Sequence, residues 1–206
     1  MKLIKITISI FTVLLTVSSV QAQQGKTSLG IRYTVGIPMG SLKNNISNTS
    51  FRGLQADVLY GISDKISIGL GTGYQDFYQK VPRQVYKLTD GSDISAVLSY
   101  SIQTIPVMAA AKYQFNPGSA IQPYAAVGVG GNIISYSELL GEFGGSQVKF
   151  GFAARPELGV YVPFRSGGES GFSIAASYNI MPFNQGSFQN LNHVGVSAGI
   201  TIPLKD

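Results

Sequence analysis

From Gly25 onward, apolar and small or polar residues alternate with a period of two in eight stretches, and no window carries a helical period. Leu29, Ile31, Tyr33, Val35 and Ile37 share one face of 29–37, with Gly30, Arg32, Thr34 and Gly36 on the other. In 53–62, Leu54, Ala56, Val58, Tyr60 and Ile62 oppose Gly53, Gln55, Asp57, Leu59 and Gly61; in 66–75, Ile66, Ile68, Leu70, Thr72 and Tyr74 oppose Ser67, Gly69, Gly71, Gly73 and Gln75. The same alternation predicts strands over about 98–115, 123–134, 150–162, 172–180 and 194–202. Proline has no N–H to give a ladder, so Pro106 predicts a bulge near Ile105–Pro106 in the fourth stretch.

The connections also alternate. Ser63–Lys65, Asn116–Gln122 and Arg165–Ser170 are short and rich in turn residues, whereas Pro38–Ser50, Gln79–Ile94, Ser135–Gln147 and Pro182–Asn192 are long. An even number of strands, with short turns at one end and long loops at the other, is the pattern of a transmembrane barrel whose short end faces the periplasm. Ahead of the strands, Lys2 and Lys5 flank a short basic start, Ile6–Val17 is apolar, and Ser18-Ser19-Val20-Gln21-Ala22 ends in small residues. That order predicts a signal peptide over 1–22, cut after Ala22, and a single barrel domain over 23–206. The apolar run is shorter than the ~20 residues that span a bilayer as a helix.

Alternation alone does not say which face meets solvent; composition does. Charged residues make up 12% of the chain, about half the ~25% of a soluble domain, and there are 25 glycines. A water-soluble barrel needs an outer face rich in Lys, Glu, Asp and Thr. Here the less apolar face is mostly Gly, Ser and Ala, with only Arg32, Asp57, Lys112, Arg155 and Glu157 charged upon it. Such a face cannot serve as a water-exposed exterior, but it can line a narrow interior. The apolar face suits hydrocarbon, which demands a closed sheet with every backbone group paired. Aromatic residues are expected in two girdles: Tyr60, Tyr113, Phe115, Tyr124 and Phe164 at the short-turn end, and Tyr74, Phe77, Tyr78, Tyr100, Tyr136, Phe150, Tyr178 and Phe183 at the other. The fold class is therefore all-β, an eight-stranded antiparallel transmembrane β-barrel.

The opening Ser28-Leu29-Gly30-Ile31-Arg32-Tyr33, the run from Thr104-Ile105-Pro106-Val107 to Lys112-Tyr113-Gln114-Phe115, and Pro123-Tyr124-Ala125-Ala126-Val127-Gly128 resemble the small outer-membrane β-barrel proteins, the opacity-protein-like, porin-family set common in Bacteroidota. The resemblance covers about 25–206 and implies an outer-membrane location. Such barrels commonly end in an aromatic residue that assists insertion, whereas this chain ends Ile202-Pro203-Leu204-Lys205-Asp206.

Charge and chemistry narrow the function only in part. With no cysteine there is no disulfide or thiol nucleophile, and one histidine rules out a multi-histidine metal site. Without the leader the chain has 13 basic and 10 acidic residues and no basic run, so nucleic acid is not an expected partner. Gly69-Leu70-Gly71-Thr72-Gly73 runs into more strand rather than a helix, so it predicts no nucleotide loop, and no cofactor is expected. Asn45-Ile46-Ser47 and Asn48-Thr49-Ser50 match a glycosylation pattern but are read as a polar exposed loop. Buried charges must be paired, so Arg32, Asp57, Lys112, Arg155 and Glu157 are expected to form a lumenal ion-pair network that plugs the barrel. The alternative use of those charges is a narrow ion path. His193 is read as a loop or interface histidine: Ser197 lies four residues along the same strand, roughly 13 Å away. Ser187, Glu138 and Glu142 reach it only through loops. The expected role is thus non-enzymatic, a structural or surface-interaction protein in contact with outer-membrane lipid, with an extracellular or envelope partner meeting its long loops. Passage of small solutes is the second reading, and modification of outer-membrane lipid the third.

Overall fold

The computed structural model describes residues 25–87, 91, 93–140, 143–165, 168–185 and 188–204, so the leader expected over 1–22 lies outside the described residues. Eight strands close into a barrel: β1 (Thr27–Pro38), β2 (Ser50–Gly61), β3 (Ile66–Lys87), β4 (Asp93–Gln114), β5 (Gln122–Leu140), β6 (Phe143–Pro163), β7 (Gly171–Asn179) and β10 (His193–Leu204). Each pairs antiparallel with its neighbours, and β10 returns to β1 in unbroken register from Thr27↔Leu204 to Pro38↔His193. Two short strands, β8 (Pro182–Gln185) and β9 (Phe188–Asn190), form a hairpin of their own, and a short helix, α1 (Gly40–Asn45), lies between β1 and β2.

Burial follows the alternation. Leu54, Leu70, Val107, Val129, Phe152, Leu158, Ile174 and Val196 are exposed around the outside, while the facing positions Gln55, Met108, Asn132, Arg155, Glu157, Ser173 and Ser197 are buried within. Inward glycines make room for long side chains on adjacent strands. A Cβ on Gly159 would lie 2.6 Å from the Tyr124 ring, and one on Gly171 would lie 2.5 Å from the ring of Tyr161.

Three expectations need correction. The bulge expected at Ile105–Pro106 is absent: β4 keeps one register with β5 from Leu98↔Leu140 through Pro106↔Asn132 to Gln114↔Tyr124. Register shifts lie instead between Thr34 and Gly36 of β1, against β2, and between Val81 and Gln84 of β3, around Pro82. Second, 79–94 and 135–147 are not simply loops, because β3–β4 and β5–β6 continue as paired hairpins through most of both. Third, Tyr124, Phe77, Tyr136 and Phe183 leave the expected girdles and are buried in the lumen. Tyr60, Tyr113, Phe115 and Phe164 at one end, and Tyr74, Tyr78, Phe150 and Tyr178 at the other, remain outside.

Leu70 is exposed on the outer face of β3, midway along the part paired with both β2 and β4, between Val58 and Ala109. Leu70→Arg should cost about 2–4 kcal/mol in lipid vesicles, measured by reversible urea unfolding. Gly159→Val should cost about 1–3 kcal/mol by the same measurement, because it crowds the ring of Tyr124.

Candidate functional site in the barrel lumen

The lumen is built in two tiers. In the lower one, toward the short turns, Glu157 of β6 is the hub. Its Oε1 pairs with Arg32 of β1 and accepts the phenol of Tyr124 at 3.0 Å, and its Oε2 accepts the amide of Gln55 at 3.2 Å. Arg32 also donates to Asp57 Oδ1 at 2.6 Å and to the Tyr124 oxygen at 2.9 Å. Thus β1, β2, β5 and β6 are tied together across the barrel. Arg155 lies close to this cluster, its Nε 4.0 Å from Glu157 Oε2, a separation at which no hydrogen bond forms.

Lys112 also points inward, but no carboxylate among the described residues lies within ion-pair distance of it. Its ammonium stands 4.3 Å from the ring centre of Tyr124 and 5.4 Å from that of Tyr161. Of the five charges named from the sequence, Arg32, Asp57 and Glu157 form tight pairs, Arg155 lies at the margin of the cluster, and Lys112 rests on aromatic faces. Gln55 and Tyr124 belong to the same cluster. Gln55 is on the inward face of its strand in the alternation, and Tyr124 is among the aromatics expected in a girdle.

The upper tier is apolar. Leu42 and Ile46, four residues apart at helical spacing, bring one face of the α1 segment down onto Phe77, Ile102, Ile134, Met181, Phe188 and Leu191, all fully buried or nearly so. Gly40 opens the helix at φ 57°, a conformation that disfavours residues with a Cβ, and its own Cβ would lie 2.9 Å from Asn190 Oδ1. Ser41 fixes α1 to the β9 hairpin: its Oγ accepts the amides of Gln189 at 3.0 Å and Asn190 at 2.8 Å and donates to the Asn190 carbonyl at 3.0 Å. The segment read as a polar loop around Asn45 and Asn48 is therefore part of a seal over the barrel. No sequence signal beyond the isolated apolar Leu42 and Ile46 pointed to it.

His193 also departs from expectation. It is buried in the lumen at the head of β10, its ring edge-on to Phe77 at 5.0 Å between centres and its Nδ1 3.1 Å from the Leu191 carbonyl. Glu138 accepts a hydrogen bond from the phenol of Tyr136, while Ser187 and Glu142 lie outside the described residues.

The family model of the outer membrane protein beta-barrel domain matches residues 10–201. The chain belongs to that family. Membership in the outer-membrane barrel family places its apolar exterior in lipid. No curated protein sequence matches the chain. Among solved structures, the barrel is similar to the outer membrane protein OprG from Pseudomonas aeruginosa, at 16% identity and a TM-score of 0.55, covering 90% of this chain and 98% of that one. It is also similar to Neisserial surface protein A (NspA), at 15% identity and a TM-score of 0.52, covering 87% and 97%. At such identity these similarities speak to fold alone.

Removing one partner from a buried pair leaves the other charge uncompensated. Glu157→Gln leaves Arg32 with Asp57 alone, so it should lower the unfolding free energy by less than the ~3–5 kcal/mol of a fully orphaned charge. Arg32→Met combined with Glu157→Met should cost less than the sum of the two single changes, read in a double-mutant cycle by urea unfolding in vesicles.

Proposed function

We propose that this outer-membrane barrel is a closed scaffold whose work is done at the cell surface, with its lumen plugged and no chemistry catalysed. The observation that carries this reading is the apolar seal. Leu42, Ile46, Phe77, Ile102, Phe188 and Leu191 fill the outer half of the lumen with no exposed surface. An ion or polar solute would have to shed its hydration there without compensating partners.

Meanwhile the wall rises on one side. β3 and β4 extend beyond the last β2 ladder pair, Gly53↔Gln75, to Lys87 and Asp93. Residues 76–87 alone amount to roughly 40 Å of extended chain at ~3.3 Å each. β5 and β6 likewise continue past the Ala154↔Ile180 bridge to Leu140 and Phe143. These arms, with exposed Lys80, Arg83, Val85 and Val148, are the surfaces an extracellular or envelope partner would meet. A catalytic role for His193 is disfavoured by its packing against Phe77 and its contact with the Leu191 carbonyl.

The polar lower tier is the observation that favours a narrow pore instead, and conductance separates the two readings. Purified protein in planar bilayers should show no steady channels. Steady single-channel openings by the wild-type chain would replace the closed scaffold with the pore. Shortening the β3–β4 arm between Val81 and Leu98 should leave the barrel folded, as judged by its unfolding midpoint in vesicles.

A further inference from the structure

Among the described residues, the lower lumen holds Arg32, Lys112 and Arg155 but only Asp57 and Glu157 to balance them, an excess of one positive charge. The excess is localised. Arg32 has two carboxylates and a phenol oxygen as partners. Arg155, only 7% exposed, makes no hydrogen bond among the described residues, and its nearest carboxylate oxygen is 4.0 Å away. Its guanidinium lies along the bare backbone of β3: a Cβ on Gly71 would come 3.3 Å from its Nη2, and one on Gly73 would come 3.9 Å from its Nη1. Lys112 is held by aromatic faces, which attract an ammonium without neutralising it.

Both cations border one cavity, which Asp57, Tyr124 and Glu157 also line. Arg155 also borders a second cavity, where the buried Thr34 hydroxyl has no partner among the described residues. A buried guanidinium with unfilled donors is costly unless something accepts its N–H groups. Its planar fork matches the paired oxygens of a carboxylate or a phosphate. We propose that this cavity is a binding site for a small oxyanion, a carboxylate or a phosphate, held between Arg155 and Lys112. The anion enters from the short-turn end, because the other end is sealed. Its binding neutralises the excess charge and leaves the seal in place, so the site stands independently of the surface role.

The test is calorimetric titration of the purified full chain in detergent micelles, with sodium phosphate and, separately, sodium acetate at constant ionic strength. Saturable binding at one site per chain is expected for at least one of the two. The anion that binds identifies the class. Affinity should fall about tenfold or more in Arg155→Gln and in Lys112→Met, a loss of ~1.4 kcal/mol. It should rise in Asp57→Asn, which removes a negative charge from the cavity wall; a merely structural role for these residues predicts no such gain. Lys112 is less buried than Arg155, so its variant keeps the test open should Arg155→Gln fail to fold. Absence of saturable heat with both anions overturns the proposal, as does binding that Lys112→Met and Asp57→Asn leave unchanged.

Discussion

The structure depends on the pairing of β1 with β10. Hydrocarbon offers no partner for a backbone N–H or C=O, so a sheet can enter a membrane only if its two edge strands meet. Here they meet in twelve consecutive pairs, Thr27↔Leu204 through Pro38↔His193, without a shift. Once that seam is closed, the alternation has only one use: the branched and aromatic row faces lipid, and everything else is confined to a narrow lumen.

Confinement explains the composition of the inner face. An eight-stranded barrel has little interior width, so each long side chain needs a neighbour without bulk. Tyr124 takes the space above Gly159, Tyr161 that above Gly171, and Arg155 that beside Gly71 and Gly73. Charges admitted to such a space must find partners, and Glu157 supplies them for Arg32, Gln55 and Tyr124. The outer half follows a different solution. There the connections fold back over the mouth and bury an apolar cluster, so the lumen is polar below and apolar above.

The barrel was legible in the sequence because lipid imposes a strict rule on every second residue. All eight barrel strands follow that rule with the expected face outward. Where the rule lapses, reading failed. Beyond the membrane, residues 79–87 and 135–147 need not alternate, so their strands resembled loops. Pro106 resembled a bulge, yet the register is unshifted: the β5 ladder runs through it, and on the β3 side only the pairs opposite Ile105 and Pro106 lapse. The inward aromatics Phe77, Tyr124, Tyr136 and Phe183 resembled girdle residues because an aromatic fits either surface. Inward charges were legible as a set, since a lumen is the only shelter for them in hydrocarbon. Their partners were not, because pairing depends on strand order and stagger: Arg32 and Glu157 are 125 residues apart in sequence.

The absence of cysteine makes the assignment of faces directly measurable, since single cysteines can be introduced one at a time and spin-labelled. A scan along β5 from residue 125 to 133, in protein reconstituted into lipid vesicles, reads the collision of each label with lipid-soluble oxygen against a water-soluble nickel complex. High oxygen accessibility is expected at Ala125, Val127, Val129, Gly131 and Ile133, and low oxygen accessibility at Ala126, Gly128, Gly130 and Asn132. Preferential collision with the nickel complex at Val127 and Val129 would contradict this assignment of faces.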